Sequence, residues 1–226
     1  MKNRCAVTSF IIFFSTLISF FRVYGGQSTE DTFTNIYRDR LWGTNEEGQG
    51  SSGSGSTLAI TELYRSFLQE FLKAYEIHSV LDFGCGDWEF SQAINWDGID
   101  YTGVDVVKTV IKKNKKKFGK KNVKFIHMDG LQHPLPSADL LICKEVLQHL
   151  SNTDVLRFLG KLSDFTYCLI TNDVDPITQT SDNPNIAQGG YRWLDLTAPP
   201  FNVRAIKVLN YNEGVLLKQV ILIVNK

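Results

Sequence analysis

Three aspartates close three strand-like runs, and their spacing is the first sign of chemistry. Asp82 ends Val80-Leu81-Asp82 and is followed by Phe83-Gly84-Cys85-Gly86, so a buried run finishes in an acid and breaks into a GxG turn. Glycines there let the backbone turn tightly and approach a ligand with no Cβ in the way. Ligands of open parallel sheets bind outside the carboxyl ends of the strands. Asp105 ends Tyr101-Thr102-Gly103-Val104-Asp105, about 20 residues past the glycines, where an acid accepts both hydroxyls of a ribose. Asp129 ends His127-Met128-Asp129 ahead of Gly130, placed to accept from an amino group such as that of adenine. The plainer readings are a strand-to-helix turn at the glycines, a cap at Asp105 and a strand-end turn at Asp129.

A fourth apolar run, Leu140-Leu141-Ile142-Cys143, leads into Lys144, Glu145 and Val146, with His149 just beyond. Histidine works as a base near neutral pH, although a lone histidine on a short helix is as readily structural. With Glu145 and His149, residues Asn172, Tyr191 and Arg192 are candidates to touch a second substrate. Arg38, Arg40 and Trp42 are placed to close over the site from the N-terminal side. Trp88 and Phe90 line a pocket or simply pack. No metal-ligand spacing occurs. Cys85, Cys143 and Cys168 read as buried thiols, and Cys5 lies in the N-terminal leader.

These residues need elements to hold them. Ile60, Leu63, Tyr64, Phe67, Leu68, Phe71, Leu72 and Tyr75 recur at helical spacing. Ser56 or Thr57 is a candidate cap for that helix. Strand-like runs follow at Ser79–Phe83, Tyr101–Val106, Val123–Met128, Ala138–Cys143 and Tyr167–Thr171. Helix-like stretches at Trp88–Ile94, Val107–Phe118 and Thr153–Leu162 lie between them. Continuous apolar strands alternating with helices imply a parallel sheet covered on both faces. Val203–Tyr211 and Val215–Val224 read as a hairpin about Asn212-Glu213-Gly214. Gln27 to Leu41 is polar with a few aromatics. Trp42 to Ser56, rich in glycine and serine, reads as a flexible loop.

A dinucleotide fingerprint requires a third glycine, GxGxxG, where this chain has Glu89. The acid before the turn suits a ligand ammonium, which a pyrophosphate would not favour. Both features prefer S-adenosylmethionine (SAM) to a nicotinamide dinucleotide. The segments VLDFGCGDWEF, YTGVDV, HMDG and LLICKEVLQHLSN resemble motifs I to IV of class I SAM-dependent methyltransferases. The segments LWGTNEEGQGSSGSGS and GYRWLDL are similar to parts of a bacterial subset of that family. The resemblance implies an α/β Rossmann-like fold, a mostly parallel seven-stranded sheet with an antiparallel C-terminal strand. It implies SAM as cofactor, with Asp82, Gly84 and Gly86 about its methionine end, Asp105 on its ribose, and Asp129 with Gly130 by its adenine. Lys144 falls beside it.

The implied activity is methyl transfer to an O, N or C acceptor. A small molecule or sugar-like metabolite is the favoured acceptor, because no peptide- or nucleic-acid-binding module accompanies the domain. The alternatives are an exported protein methyltransferase and a non-catalytic SAM-binding domain acting through a partner.

The remaining features concern location and partners. Lys2 and Arg4 precede an apolar run from Cys5 to Phe21, and small residues follow. That pattern describes a signal peptide, or else a membrane anchor through residues 5–21. The division expected is a leader over 1–26, a loop or lid over 27–56, and the catalytic domain over 57–226, secreted or periplasmic. The net charge is zero, so nothing global points to nucleic acid. One basic run, Lys112 to Lys121, reads as a solvated helix end; nucleic acid or anionic lipid is its other use.

Overall fold

The computed structural model describes residues 28–225. The leader, and every expectation about it, lies outside them. Seven strands form one sheet: β1 (Ser79–Phe83), β2 (Asp100–Asp105), β3 (Val123–His127), β4 (Leu140–Lys144), β5 (Tyr167–Val174), β6 (Ile206–Glu213) and β7 (Leu216–Val224). Their order is β3-β2-β1-β4-β5-β7-β6. The first five run parallel, and β7 inserts antiparallel between β5 and β6. The hairpin closes through Gly214, at φ 56°, and Val215; glycine, having no Cβ, takes that conformation freely.

Burial follows the pattern of the sequence. β1, β4 and β5 are buried on both faces, as strands of a covered parallel sheet are. β3 is an edge strand, with Lys124 and Ile126 exposed between buried Val123 and Phe125. Helix α2 (Glu62–Ala74) sets Tyr64, Leu68, Phe71 and Leu72 against Val80, Leu140, Leu169 and Val220. Helix α4 (Asn152–Leu159) sets Val155 and Phe158 against the other face with Leu81, Leu141 and Ile170. Helix α3 (Lys108–Phe118) packs at the β2/β3 end of the sheet, and Val110 and Ile111 face different cores.

Four expectations need correction. The stretch from Gln27 contains helix α1 (Thr29–Arg38). Its signals are the Ser28 cap, whose Oγ accepts from the Asp31 amide at 3.1 Å, two acids in its first turn, and Phe33, Ile36 and Tyr37 on one face. Helix α2 starts at Glu62 rather than near Thr57, because Thr61 Oγ1 donates to the Thr57 carbonyl and leaves a turn ahead of the helix. Trp88–Ile94 forms only a short turn at Ser91–Ala93. Trp88 sits at φ 63°, and a non-glycine residue there interrupts a right-handed helix. The loop from Trp42 to Ser56 is a packed element, described next.

Candidate functional site

The glycine turn after β1 is tied on both sides. Gly84 and Cys85 donate to the Val104 carbonyl at 2.8 and 3.0 Å, and Asn114 of α3 donates to the Gly86 carbonyl at 2.7 Å. Gly84 and Gly86 have φ of 73° and 52°. A Cβ on Gly84 would lie 2.5 Å from Val146, and one on Gly86 would collide with Ser52. Both positions require glycine by conformation and by space. The turn forms the floor of a cleft of about 930 Å³, part of it open to solvent.

All seven residues expected to hold a cofactor line this cleft: Asp82, Gly84, Gly86, Asp105, Asp129, Gly130 and Lys144. Asp105 accepts from the Gly86 amide at 3.0 Å and the Val107 amide at 2.8 Å, one bond to each carboxylate oxygen. Each oxygen keeps a lone pair for a ligand hydroxyl. Asp82 accepts one bond, from Tyr101 Oη at 2.5 Å. Asp87 Oδ1 is buried without a partner. Phe83, Val106, Met128 and Leu131 supply apolar wall. Acids aimed into an apolar slot fit a ligand that carries an ammonium, ribose hydroxyls and a flat base.

Burial pushes the Asp82 carboxyl up to about 6, with Asp105 adding to the rise and Tyr101 and Lys144 opposing it. Burial also pushes Asp105 up to about 6, against the Val107 and Gly86 amides. A ligand that needs both carboxylates charged binds fully above pH 6 and is lost as the pH falls through it. S-adenosylhomocysteine should therefore bind about tenfold or more weakly at pH 5 than at pH 7.5. A flat affinity across that range would show that neither carboxylate takes part.

The N-terminal loop is the part that composition misreads. Ser52 Oγ bonds Tyr37 Oη at 2.6 Å and accepts from the Asp87 amide at 2.8 Å, while the Ser52 amide donates to Asp87 Oδ2 at 3.1 Å. Lys144 Nζ donates to the Gly55 carbonyl at 2.9 Å. Trp42 packs on Phe33, Tyr37 and His149. A Cβ on Gly50 would run into the Tyr37 carbonyl, and one on Gly55 would lie 2.5 Å from Glu145. Here glycine and serine serve close approach rather than flexibility. Gly50→Ala should release the loop, seen as faster proteolysis between Trp42 and Ser56 and weaker S-adenosylhomocysteine binding. Unchanged proteolysis would mean that the loop is not pinned at this point.

Two of the four catalytic candidates, Glu145 and His149, line the cleft. His149 Nδ1 lies 2.8 Å from the Gly190 carbonyl, and its ring sits between Trp42 and Tyr191, at centroid distances of 4.9 and 6.0 Å. Burial lowers its pKa below the ordinary value, partly opposed by the Gly190 carbonyl, so the ring is neutral at pH 7. A carbonyl accepts only, so the proton is on Nδ1 and Nε2 carries the free lone pair. Glu145, at φ 57°, pairs with Lys144 and Lys218. Burial would raise its pKa, but the two ammonium groups outweigh it and hold it down at about 2.

The other two candidates stand away from the cleft. Arg192 spends its guanidinium on the Pro184 and Leu150 carbonyls, at 2.5 and 2.8 Å, and on Asn152, so it fastens the segment that carries Gly190. Asn172 is buried on β5. Its neighbour Asp173 points to the opposite face, where it meets Lys218 at 2.9 Å and accepts from Tyr191 Oη at 2.9 Å. Tyr191 is not part of the cleft lining; its ring lies beside His149 and its hydroxyl is held by Asp173. Trp42, Trp88 and Phe90 line the cleft. Arg38 extends to solvent beside Asp39, and Arg40 is exposed. Cys85, Cys143 and Cys168 are buried free thiols.

Ser52, Tyr37 and Lys218 escaped the sequence reading. Lys218 had a usable signal, because a lysine inside Val215-Leu216-Leu217-Lys218-Gln219-Val220-Ile221 is a charge in a buried strand.

A family model described as a methyltransferase domain matches residues 81–164. Phosphoethanolamine N-methyltransferase 3 of Arabidopsis thaliana is 29% identical over 137 residues, covering 58% of this chain and 28% of that one. The chain thus spans little more than a quarter of that relative's length. Magnesium protoporphyrin IX methyltransferase of Synechocystis, solved with bound SAM, superposes with a TM-score of 0.62 at 12% identity over 89% of this chain and 99% of that one. The N-methyltransferase NodS of Bradyrhizobium japonicum, in complex with S-adenosylhomocysteine, gives 0.59 at 14% identity over 83% and 97%. These two likenesses establish the fold. The family match runs across the glycine turn, β2, β3 and β4, so the stretch that builds the cleft is similar to a methyltransferase domain.

Proposed function

We propose that this domain methylates a small molecule bearing a protonated nucleophile, a hydroxyl or an amine, with His149 taking the proton. The observation that carries this reading is the fixed tautomer of His149. Its Nδ1–H is engaged by the Gly190 carbonyl, and its Nε2 is a neutral base at the cleft wall. SAM, when bound, supplies an activated methyl group. The work left to the chain is to hold the acceptor in line, exclude water and accept a proton.

Asp82 and Asp105 are the residues suited to the ammonium and the ribose, and Asp129 to the base. Trp42 and the 42–56 loop close the cleft on the side of His149. Two of the similar proteins are named for small acceptors, phosphoethanolamine and magnesium protoporphyrin IX, which supports a small molecule over a protein.

The test is incubation with methyl-labelled SAM and separate panels of hydroxyl compounds, amines and proteins. Label should enter a small molecule. His149→Gln should lower turnover by about 100-fold or more while leaving S-adenosylhomocysteine affinity within about twofold. Undiminished turnover would remove His149 as the base, and label in protein alone would overturn the choice of acceptor. We also propose that Cys5–Phe21 is part of a leader removed on export. An intact mass beginning at Met1 would contradict that.

A further inference from the structure

Charge is unevenly distributed in this neutral chain. Nine lysines fall between Lys108 and Lys124 with no acid among them, leaving fifteen basic against twenty-four acidic residues elsewhere. They are Lys108, Lys112, Lys113, Lys115, Lys116, Lys117, Lys120, Lys121 and Lys124, and all but Lys113 are exposed. They lie on α3, the turn after it and edge strand β3, at one edge of the sheet. Two acids answer them. Glu47 meets Lys113 at 3.1 Å, and Asp97 meets Lys120 at 3.9 Å. A helix end favours two or three basic residues. Nine at one edge of the sheet, with two of them paired to acids, repel one another and cost stability.

We infer that this lysine face docks the domain on an anionic phospholipid surface. The composition selects that partner. Every cation is lysine, a flexible point charge suited to a diffuse layer of headgroups, and none is arginine, whose planar fork reads individual phosphates. Single-stranded nucleic acid bound without sequence readout stacks its bases on aromatic side chains. The one aromatic within the run, Phe118, is packed against Trp88 at 4.8 Å and lies under Lys117 Nζ at 5.1 Å. Exposed Ile126 lies two residues past Lys124 on β3.

The geometry is compatible with catalysis. The cleft opens at the carboxyl ends of the strands, whereas Lys120 and Lys121 precede the amino end of β3. Docking through that end leaves the cleft mouth free.

The test is flotation of the natively purified protein with vesicles of phosphatidylcholine, and with vesicles containing about one-third phosphatidylglycerol. Binding to the anionic vesicles should be at least about tenfold stronger than to the neutral ones, and roughly 0.5 M salt should erase the difference. A variant carrying Lys115→Gln, Lys116→Gln, Lys117→Gln, Lys120→Gln and Lys121→Gln should lose the preference while keeping S-adenosylhomocysteine affinity. Equal binding to both vesicles, or a preference insensitive to salt, would overturn the inference whether or not the variant folds. So would single-stranded RNA or duplex DNA that binds the face and displaces the protein from anionic vesicles.

Discussion

Lys218→Met should be the most damaging single substitution in the fold, costing about 3–5 kcal/mol. Lys218 is 1% exposed on β7 and meets Asp173 at 2.9 Å, Glu213 at 2.8 Å and Glu145. Burial works against its charge, but those carboxylates outweigh it and raise its pKa above the ordinary value. Methionine keeps the stem's volume and removes only the ammonium. Three carboxylates would then face one another with little water to screen them. Such a loss is a large share of the stability of a domain this size. The melting temperature should fall by about 10 °C or more.

The pH dependence distinguishes this cause from lost packing. In the variant, the unpaired carboxylates have raised pKa values in the folded state. The folded form therefore binds more protons than the unfolded one at mildly acid pH. The deficit relative to wild type should shrink as the pH is lowered from about 8 to about 5. A melting temperature within about 2 °C of wild type would show that the cluster is not a stabilising one.

Asp105→Ala should weaken S-adenosylhomocysteine binding by about 100-fold or more, the estimate for two hydrogen bonds to a charged acceptor. Its effect on stability should be smaller than its effect on binding. The carboxylate sits above its ordinary pKa because burial is not fully offset by the Gly86 and Val107 amides. Alanine removes that cost together with the ligand contacts, but leaves the two amides without their acceptor. Calorimetric titration beside a thermal melt separates the two effects. A variant that still binds within about threefold would place the ribose elsewhere in the cleft.

The sheet was legible because its signals are periodic. Apolar runs of five or six residues, each ending in an acid or a glycine turn, fixed β1, β2 and β3 and their shared carboxyl edge. Six of the seven cofactor candidates lie on the cleft for that reason, and Lys144 joins them from the end of β4. Composition failed where geometry decides. Gly50 and Gly55 read as linker glycines, yet they are sites of contact with Tyr37 and Glu145. Nothing local announces a partner more than ten residues away. Arg192 read as a substrate ligand because the residue type fits, and only the fold shows its guanidinium consumed by the Leu150 and Pro184 carbonyls. Lys218 is the reverse case, a charge in a buried strand whose partners lie on β5, β6 and the turn after β4.

The central claim is that the acid-lined cleft behind the glycine turn is a working SAM site. Its most direct test is calorimetric titration of the purified protein with S-adenosylhomocysteine at pH 7.5. Saturable binding at one site per chain, with a dissociation constant on the order of micromolar, is the result predicted here. A folded protein that takes up no ligand at roughly millimolar concentration would contradict the claim and leave the fold with some other role.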